Sequence, residues 1–245
     1  MKECSKSVVR RLHDPGFVTR FFAGHGLDVG GKPDPLSLYE ELFPRIESVR
    51  TWDIEDGDAQ FLAGVADDTY DFVHSSHCLE HLNDPGEGLR NWFRVLKPGG
   101  HLVLTVPDED MYEQGVFPST FNRDHKWTFT VFKTHSWSER SISLLPLIQS
   151  LGARAEPVRV QLLDATYRTR LSRYDQSITP VAECGIEAVI RKRTVEETAV
   201  GARQRPQPSD PSRETRIHLN QYRDDRATLR AANTTRPPFT NDDPL

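Results

Sequence analysis

An α/β fold built on a mainly parallel sheet is predicted by three features of the chain. Short apolar runs bounded by turn residues recur at 26–30 (GLDVG), 48–54 (SVRTWDI), 69–76 (TYDFVHSS) and 100–107 (GHLVLTVP). Segments with helical spacing lie between them, and strands that alternate with helices assemble as a parallel sheet covered on its faces. Beyond 107 the alternation stops, and an aromatic connection and a proline-rich end follow.

The first run ends on Gly30-Gly31, and a short helix is expected over 35–43, carrying Leu38, Leu42 and Phe43 with Ser37 as a possible cap. The clearest helix starts at Asp84 as N-cap with Pro85 in first position. It sets Leu89, Trp92, Phe93 and Leu96 on one stripe, and Lys97-Pro98-Gly99-Gly100 stops it. Residues 108–137 hold Tyr112, Phe117, Phe121, Trp127, Phe129, Phe132 and Trp137, too many aromatics for a disordered linker. This stretch reads as an ordered lid or acceptor-site insertion. Residues 138–151 read as a helix that Pro146 should kink or split, and 155–163 and 184–192 as two last strands. One domain over 1–202 is expected. The remaining 203–245 hold six of the seventeen prolines and read as an extended tail, with an exposed helix near 212–232.

With 245 residues the chain can bury one full core. A net charge of -5 offers no basic surface for a phosphate backbone, so nucleic acid is not an expected partner. No run reaches the ~18 apolar residues of a membrane span, and the first residues lack a signal-peptide core, so a cytoplasmic location is expected. Cys4, Cys78 and Cys184 are too few and scattered for a disulfide framework, which fits a reducing compartment.

A strand that runs into Gly30-Gly31 lets the backbone turn sharply and approach a ligand, because glycine has no Cβ. Ligands of open α/β sheets bind at this carboxyl edge. Asp53 stands 25 residues after Asp28, at the end of the second run, where a carboxylate can accept the hydrogen bonds of a ribose diol. Each feature alone has a plain reading, a tight turn and a surface aspartate; together they point to a nucleoside site.

Six stretches together carry a family resemblance. Leu27-Asp28-Val29-Gly30-Gly31, Trp52-Asp53, Asp56-Gly57-Asp58-Ala59-Gln60, Tyr70-Asp71-Phe72-Val73, Leu79-Glu80-His81-Leu82 and Arg94-Val95-Leu96-Lys97-Pro98-Gly99-Gly100 follow in order over roughly 20–107. In that order and spacing the chain resembles the class I S-adenosylmethionine-dependent methyltransferases, nearest their small-molecule branch. The resemblance implies a Rossmann-like, seven-stranded sheet whose last strand is antiparallel, with S-adenosyl-L-methionine across the ends of the first, second and fourth strands. It would put Asp28, Gly30 and Gly31 around the amino-acid part of the cofactor and Asp53, with Ile54 beside it, at the ribose. Asp58 and Ala59 would receive the adenine, and Ser75 and Ser76 would sit near the methionine moiety. Where the family has glycines this chain has Lys32 and Asp34, so the loop must take another path.

A sulfonium methyl is electrophilic, so the protein must align an acceptor lone pair and, for a hydroxyl, take up its proton. The candidate bases at the carboxyl edge are His77, His81, Asp108, Glu109, Asp110 and His125. His125 is favoured, in Asp124-His125-Lys126-Trp127 within the segment best placed to cover an acceptor. Asp108 and His81 stand behind it, and Glu109, Tyr112, Lys126 and Trp127 are expected to touch the acceptor. Quieter readings stand beside these: a loop hydrogen bond for His125, a cap for Asp108, core anchoring for Trp127 and Phe129. His77 and His81, with Cys78 and Glu80 nearby, could present two nitrogens to a metal, but no HExxH arrangement is present and class I transfer needs no metal, so none is expected.

The expected function is methyl transfer to a small-molecule or glycan acceptor, at oxygen, in a protein that could form a homo-oligomer. A nicotinamide-dependent oxidoreductase or epimerase would expect G-x-G-x-x-G after the first strand, which is absent. A non-catalytic nucleoside-binding protein is the other alternative.

Overall fold

The computed structural model describes residues 3–203. In chain order these form α1 (Glu3–Leu12), β1 (Gly24–Val29), β2 (Ile46–Trp52), β3 (Tyr70–Ser76), α2 (Pro85–Arg94), β4 (Leu96–Pro107), β5 (Thr128–Thr130), β6 (Ser141–Ser143), α3 (Leu144–Gln149), β7 (Ala155–Leu163), β8 (Gly185–Lys192) and α4 (Val195–Val200). The main sheet runs β2-β1-β3-β4-β8-β7. Its first four strands are parallel, and β8 lies antiparallel between β4 and β7. All six apolar runs read from the sequence are strands, and the last in the chain is antiparallel to its neighbours.

The sheet has six strands rather than seven. Residues 53–69, where another strand would fall, form turns that include Gly57 and Gly64 at positive φ. Their sequence, DIEDGDAQFLAGVADDT, is too acidic and too poor in β-branched residues to sustain a ladder. β2 is therefore the edge strand.

The central strands are buried on both sides, as parallel sheets require. Successive side chains go to opposite faces. Leu27, Val29, Val73, Leu102 and Leu104 join Leu89 and Trp92 of α2 in one core, while Phe72 and Val103 pack with Cys4 and Val8 of α1 and with Phe17, Phe21, Phe22 and Phe43 in the other. The second face also carries a polar row from four neighbouring strands: Asp28, His74, Thr105 and Glu187. Arg11 of α1, fully buried, donates to Glu187 (2.9 Å) and Thr105 (3.2 Å) and meets His74 Nε2 at 3.0 Å; His74 Nδ1 lies 2.6 Å from Asp28. Arg10 clamps Glu183 and Glu187 from the outside.

α2 begins as the sequence predicts: the Asp84 carboxylate accepts from Glu87 N at 2.9 Å and Pro85 fills the first position. Its far end is satisfied by a residue from the last strand. Lys192 Nζ, buried, donates to the carbonyls of Phe93 (3.0 Å), Arg94 (3.0 Å) and Leu96 (2.6 Å) and to Asp68 (2.7 Å). At Gly100 a Cβ would fall 2.5 Å from the Asp71 carbonyl, which explains a glycine in that turn.

Two local expectations are corrected. Over 35–43 the helical turn is Leu36–Leu42, entered through Pro35, and Ser37 faces Thr51 instead of capping it. Residues 138–151 are not one helix: β6 pairs with β5 in a small parallel sheet, and α3 starts only at Leu144. Pro146 sits in its first turn, where a missing N–H breaks no helical bond. α1 was not expected as an element, although Cys4, Val8 and Leu12 carry its spacing. The tail and the helix near 212–232 lie outside the described residues. Among the described residues no helix is long and apolar enough to cross a membrane.

Candidate active site

One cavity opens at the carboxyl edge of β1 and β3. It is lined by Asp28, Gly30, Gly31, Lys32 and Ser76 and by His77, His81, Tyr112 and His125, with Glu3 and Cys4 of α1 also at its wall. The first strand delivers the glycine turn. Gly30 has φ +71°, and a Cβ there would fall 2.6 Å from Cys78 Sγ; one on Gly31 would fall 2.3 Å from an Asp28 oxygen. Both positions therefore exclude a side chain. Gly30 N donates to the Trp52 carbonyl, and Lys32 N donates to Asp53 Oδ2 at 2.9 Å, so the carboxylate of β2 grips the turn directly. Asp34 explains the loop's departure from glycine: its carboxylate accepts from Ser5 N at the start of α1 and from the Tyr39 hydroxyl.

Asp28 is buried, with Oδ2 accepting from Leu36 N (2.7 Å) and Oδ1 beside His74. Asp53 is half-buried and also accepts from Ile54 N. Ile54 itself is 85% exposed. Asp58, exposed, accepts from Gln60 N, and the Ala59 carbonyl accepts from Trp92 Nε1. The two serines part company because neighbours on a strand face opposite ways. Ser75 is buried and donates to the Val29 carbonyl, while Ser76 Oγ lies at the cavity wall, buried without a hydrogen-bond partner. Of the nine residues expected at the cofactor, the cavity wall thus gathers Asp28, Gly30, Gly31 and Ser76; Asp53 touches the loop, and Ile54, Asp58, Ala59 and Ser75 lie off the wall.

Three imidazoles of the cavity wall, His77, His81 and His125, cluster around one carboxylate behind it. Glu80 is fully buried and neither of its oxygens receives an aligned hydrogen bond. Its Oε1 stands 3.4 Å from His77 Nδ1, 3.9 Å from His125 Nε2 and 4.0 Å from His81 Nε2. Burial works against its charge, yet the surrounding His77, His125 and His81 hold its carboxyl below the usual range. Each of two rings is oriented from behind: His125 Nδ1 by Glu113 at 2.8 Å, and His81 Nδ1 by the Asp124 carbonyl at 3.2 Å. His125 also packs between Tyr112, tilted against it at 5.1 Å, and His81, edge-on at 5.0 Å. The Tyr112 hydroxyl is buried without a partner at the same cavity.

The other candidates hold the connection 108–137 in place. Asp108 caps the wide helical turn 109–113, accepting from Asp110 N and Met111 N at 3.1 Å, and is absent from the cavity wall. Glu109 is fully buried and ties the connection to itself, accepting from Thr128 (3.0 Å), Lys133 (2.7 Å), Ser136 (2.8 Å) and Ser141 (2.5 Å). Phe129 belongs to the core. Lys126 Nζ donates to Asn83, and Trp127 donates to the Leu82 carbonyl with Arg140 over its ring. These two line a shallow groove with Asn83, Phe117 and Arg140, and His125 is shared between this groove and the cavity. Sequence reasoning passed over Glu113, Glu3 and the central place of Glu80, since nothing in their spacing marks them. All three cysteines are buried and free, and burial pushes the thiols of Cys4 and Cys184 up to about 12, so they are poor nucleophiles.

Burial pushes the Asp108 carboxyl up to about 6, against the pull of its two backbone donors. Between the ordinary 3.8 and about 6 the folded chain keeps a proton that the unfolded chain has lost. This group's contribution to stability is therefore fully favourable below 3.8 and is lost as pH rises through 6. Asp108→Asn, which keeps an acceptor oxygen, should raise stability by about 1–3 kcal/mol at pH 7.5 and by nothing at pH 4. Urea titrations at the two pH values check this.

A family model for a methyltransferase domain matches residues 17–155, more than half of the chain. The chain belongs to that family: it is a class I S-adenosylmethionine-dependent methyltransferase domain, and S-adenosylmethionine is the cofactor that goes with it. An uncharacterized 37.1 kDa protein in transposon TN4556 of Streptomyces fradiae is 34% identical over 73 residues, 30% of this chain and 21% of that protein. The ubiquinone/menaquinone biosynthesis C-methyltransferase UbiE of Vibrio vulnificus is 47% identical over 38 residues, 16% of this chain and 15% of the enzyme. The chain thus matches about a fifth or less of the length of these curated relatives. A solved Bacillus halodurans structure of a candidate methyltransferase shares the fold, with a TM-score of 0.50 and 14% identity over 76% of this chain and 99% of that one.

The residues present fit the cofactor. A turn from which side chains are excluded at Gly30 and Gly31 faces two buried hydroxyls, Ser76 and Tyr112, that have no partner. Buried polar atoms of that kind are rare unless a ligand completes them.

Proposed function

We propose that the protein transfers the methyl group of S-adenosylmethionine to a small polar acceptor, an oxygen of a sugar or natural-product-type metabolite. The observation that carries this reading is the place of His125, on the wall shared by the glycine-turn cavity and the groove of Lys126, Trp127 and Arg140. Cofactor on one side and acceptor on the other would then meet at one imidazole.

Asp28, Gly30, Gly31 and Ser76 would hold the amino-acid end of the cofactor, and Asp53, next to the turn, the ribose hydroxyls. Bound there, the cofactor supplies an electrophilic methyl on sulfur. The chain's own part is to bind, align and manage a proton. Lys126, Trp127 and Arg140 offer an acceptor charge and a flat apolar face. His125, with Nδ1 bound to Glu113, turns Nε2 inward, so it can take the acceptor proton while the carboxylate behind it stabilises the imidazolium. Nothing in the net charge of -5 favours a nucleic-acid acceptor.

Calorimetry with S-adenosylhomocysteine tests the reading. Micromolar binding is expected, weakened about 10- to 100-fold in Asp53→Ala, the loss of charged hydrogen bonds to the ribose. A preference for a nicotinamide dinucleotide, or affinity indifferent to Asp53, would overturn it.

A further inference from the structure

We propose that Glu80, His81 and His125 form a binding site for a divalent transition-metal cation. Among the described residues these three are the group whose ligand atoms all lie within 4.8 Å of one another. The Glu80 carboxylate is the first ground. It is fully buried, neither oxygen has a hydrogen-bond partner, and Oε1 faces the inward nitrogens of His81 and His125 at 4.0 and 3.9 Å. A buried carboxylate left without aligned donors is costly, and a cation between it and two imidazoles removes that cost.

The orientation of the rings is the second, independent ground. Both histidines commit Nδ1 to an acceptor behind them, His125 to the Glu113 carboxylate at 2.8 Å and His81 to the Asp124 carbonyl at 3.2 Å. Nδ1 is therefore the donor nitrogen in each ring, which leaves Nε2, 4.0 and 3.9 Å from Glu80 Oε1, as the nitrogen available to a cation. Metal-ligating histidines are held in this way, with the far nitrogen donating to a carboxylate or a backbone carbonyl. His77, at φ +55°, approaches the same oxygen, with Nδ1 3.4 Å from Oε1 and Nε2 3.8 Å from Glu3. It positions the carboxylate.

The donor set selects the ion. Two imidazoles and one carboxylate suit Zn2+, Co2+, Fe2+ or Mn2+, whereas Mg2+ and Ca2+ prefer oxygen alone. Donors about 2.0–2.2 Å from a tetrahedral centre lie about 3.4 Å apart, so the two separations from Glu80 to the imidazoles need to close by roughly half an ångström. Three protein ligands leave a fourth position open. His81 and His125 both line the cavity, so that position faces it. It would take an oxygen of the acceptor and make its hydroxyl more acidic. This last role rests on the methyl-transfer reading above; the site itself does not. With the cation bound, Nε2 of His125 is a ligand and the acceptor proton leaves to solvent; the proton-accepting part given above belongs to the metal-free protein.

Titration of the full-length protein with Co2+ tests the site without any turnover. One equivalent is expected to bind and to give visible ligand-field absorption, displaced by Zn2+. His81→Ala, at a half-buried position, and Glu80→Gln should each weaken Co2+ binding at least about 100-fold. Glu113→Gln should weaken it about 10- to 100-fold and leave the stoichiometry at one. S-adenosylhomocysteine affinity is measured on the same samples, so loss of the metal site and loss of the methyl-transfer reading show up separately. A titration without absorption change, or Co2+ affinity that His81→Ala and Glu80→Gln leave untouched, would overturn the proposal.

Discussion

His125→Ala is expected to lower turnover about 100- to 10,000-fold, the range spanned by loss of a positioned proton acceptor. Affinity for S-adenosylhomocysteine should stay close to that of the parent, because the proposed cofactor contacts, the glycine turn and Asp53, do not include His125. The ring is buried, so truncation also leaves a void between Tyr112 and His81 and deprives Glu113 of its partner. A melting temperature and a cofactor titration on the same preparation distinguish a chemical defect from a folding one. His125→Gln, closer in size and polar, should fold better and remain inactive. Turnover unchanged in both variants would remove His125 from the reaction.

The second large effect is on stability. Arg11→Met should cost about 3–5 kcal/mol, the typical consequence of leaving one partner of a buried ion pair uncompensated. Arg11 and Glu187 are both fully buried, and the guanidinium also meets His74 and Thr105. Arg10 still reaches Glu187, but from a partly exposed position. Denaturant titration with an unchanged m-value would report the loss. The double variant Arg11→Met with Glu187→Met should recover a large part of it, since two apolar residues can replace the pair. Because His74 links this network to Asp28, Arg11→Met should also weaken cofactor binding.

Much of the framework was legible because it is written in local patterns. The six strands declared themselves as apolar runs, and Asp84-Pro85 fixed the start of α2 through a cap that needs only neighbouring residues. The missing strand was not legible: the resemblance supplied it, while the acidic turns over 53–69 argue against it once examined alone. Ser75 and Ser76 could not be separated from sequence, since period two assigns them opposite faces without saying which face is the cavity. Glu109 looked like an acceptor contact because it follows a strand, yet four donors from the insertion consume it. The Glu80 cluster depends on His125 from a loop 45 residues away and on Glu113 from a wide helical turn. No spacing rule brings such residues together; only the folded connection after β4 does.

The ammonium of Lys192 that closes the end of α2 also sets an order of events. The carbonyls of 93, 94 and 96 stay wet until a residue almost a hundred positions later arrives to dry them. A chain emerging from the ribosome would therefore hold the nucleotide-side half of its sheet loosely, and the domain would lock only as the eighth strand slides between the fourth and seventh.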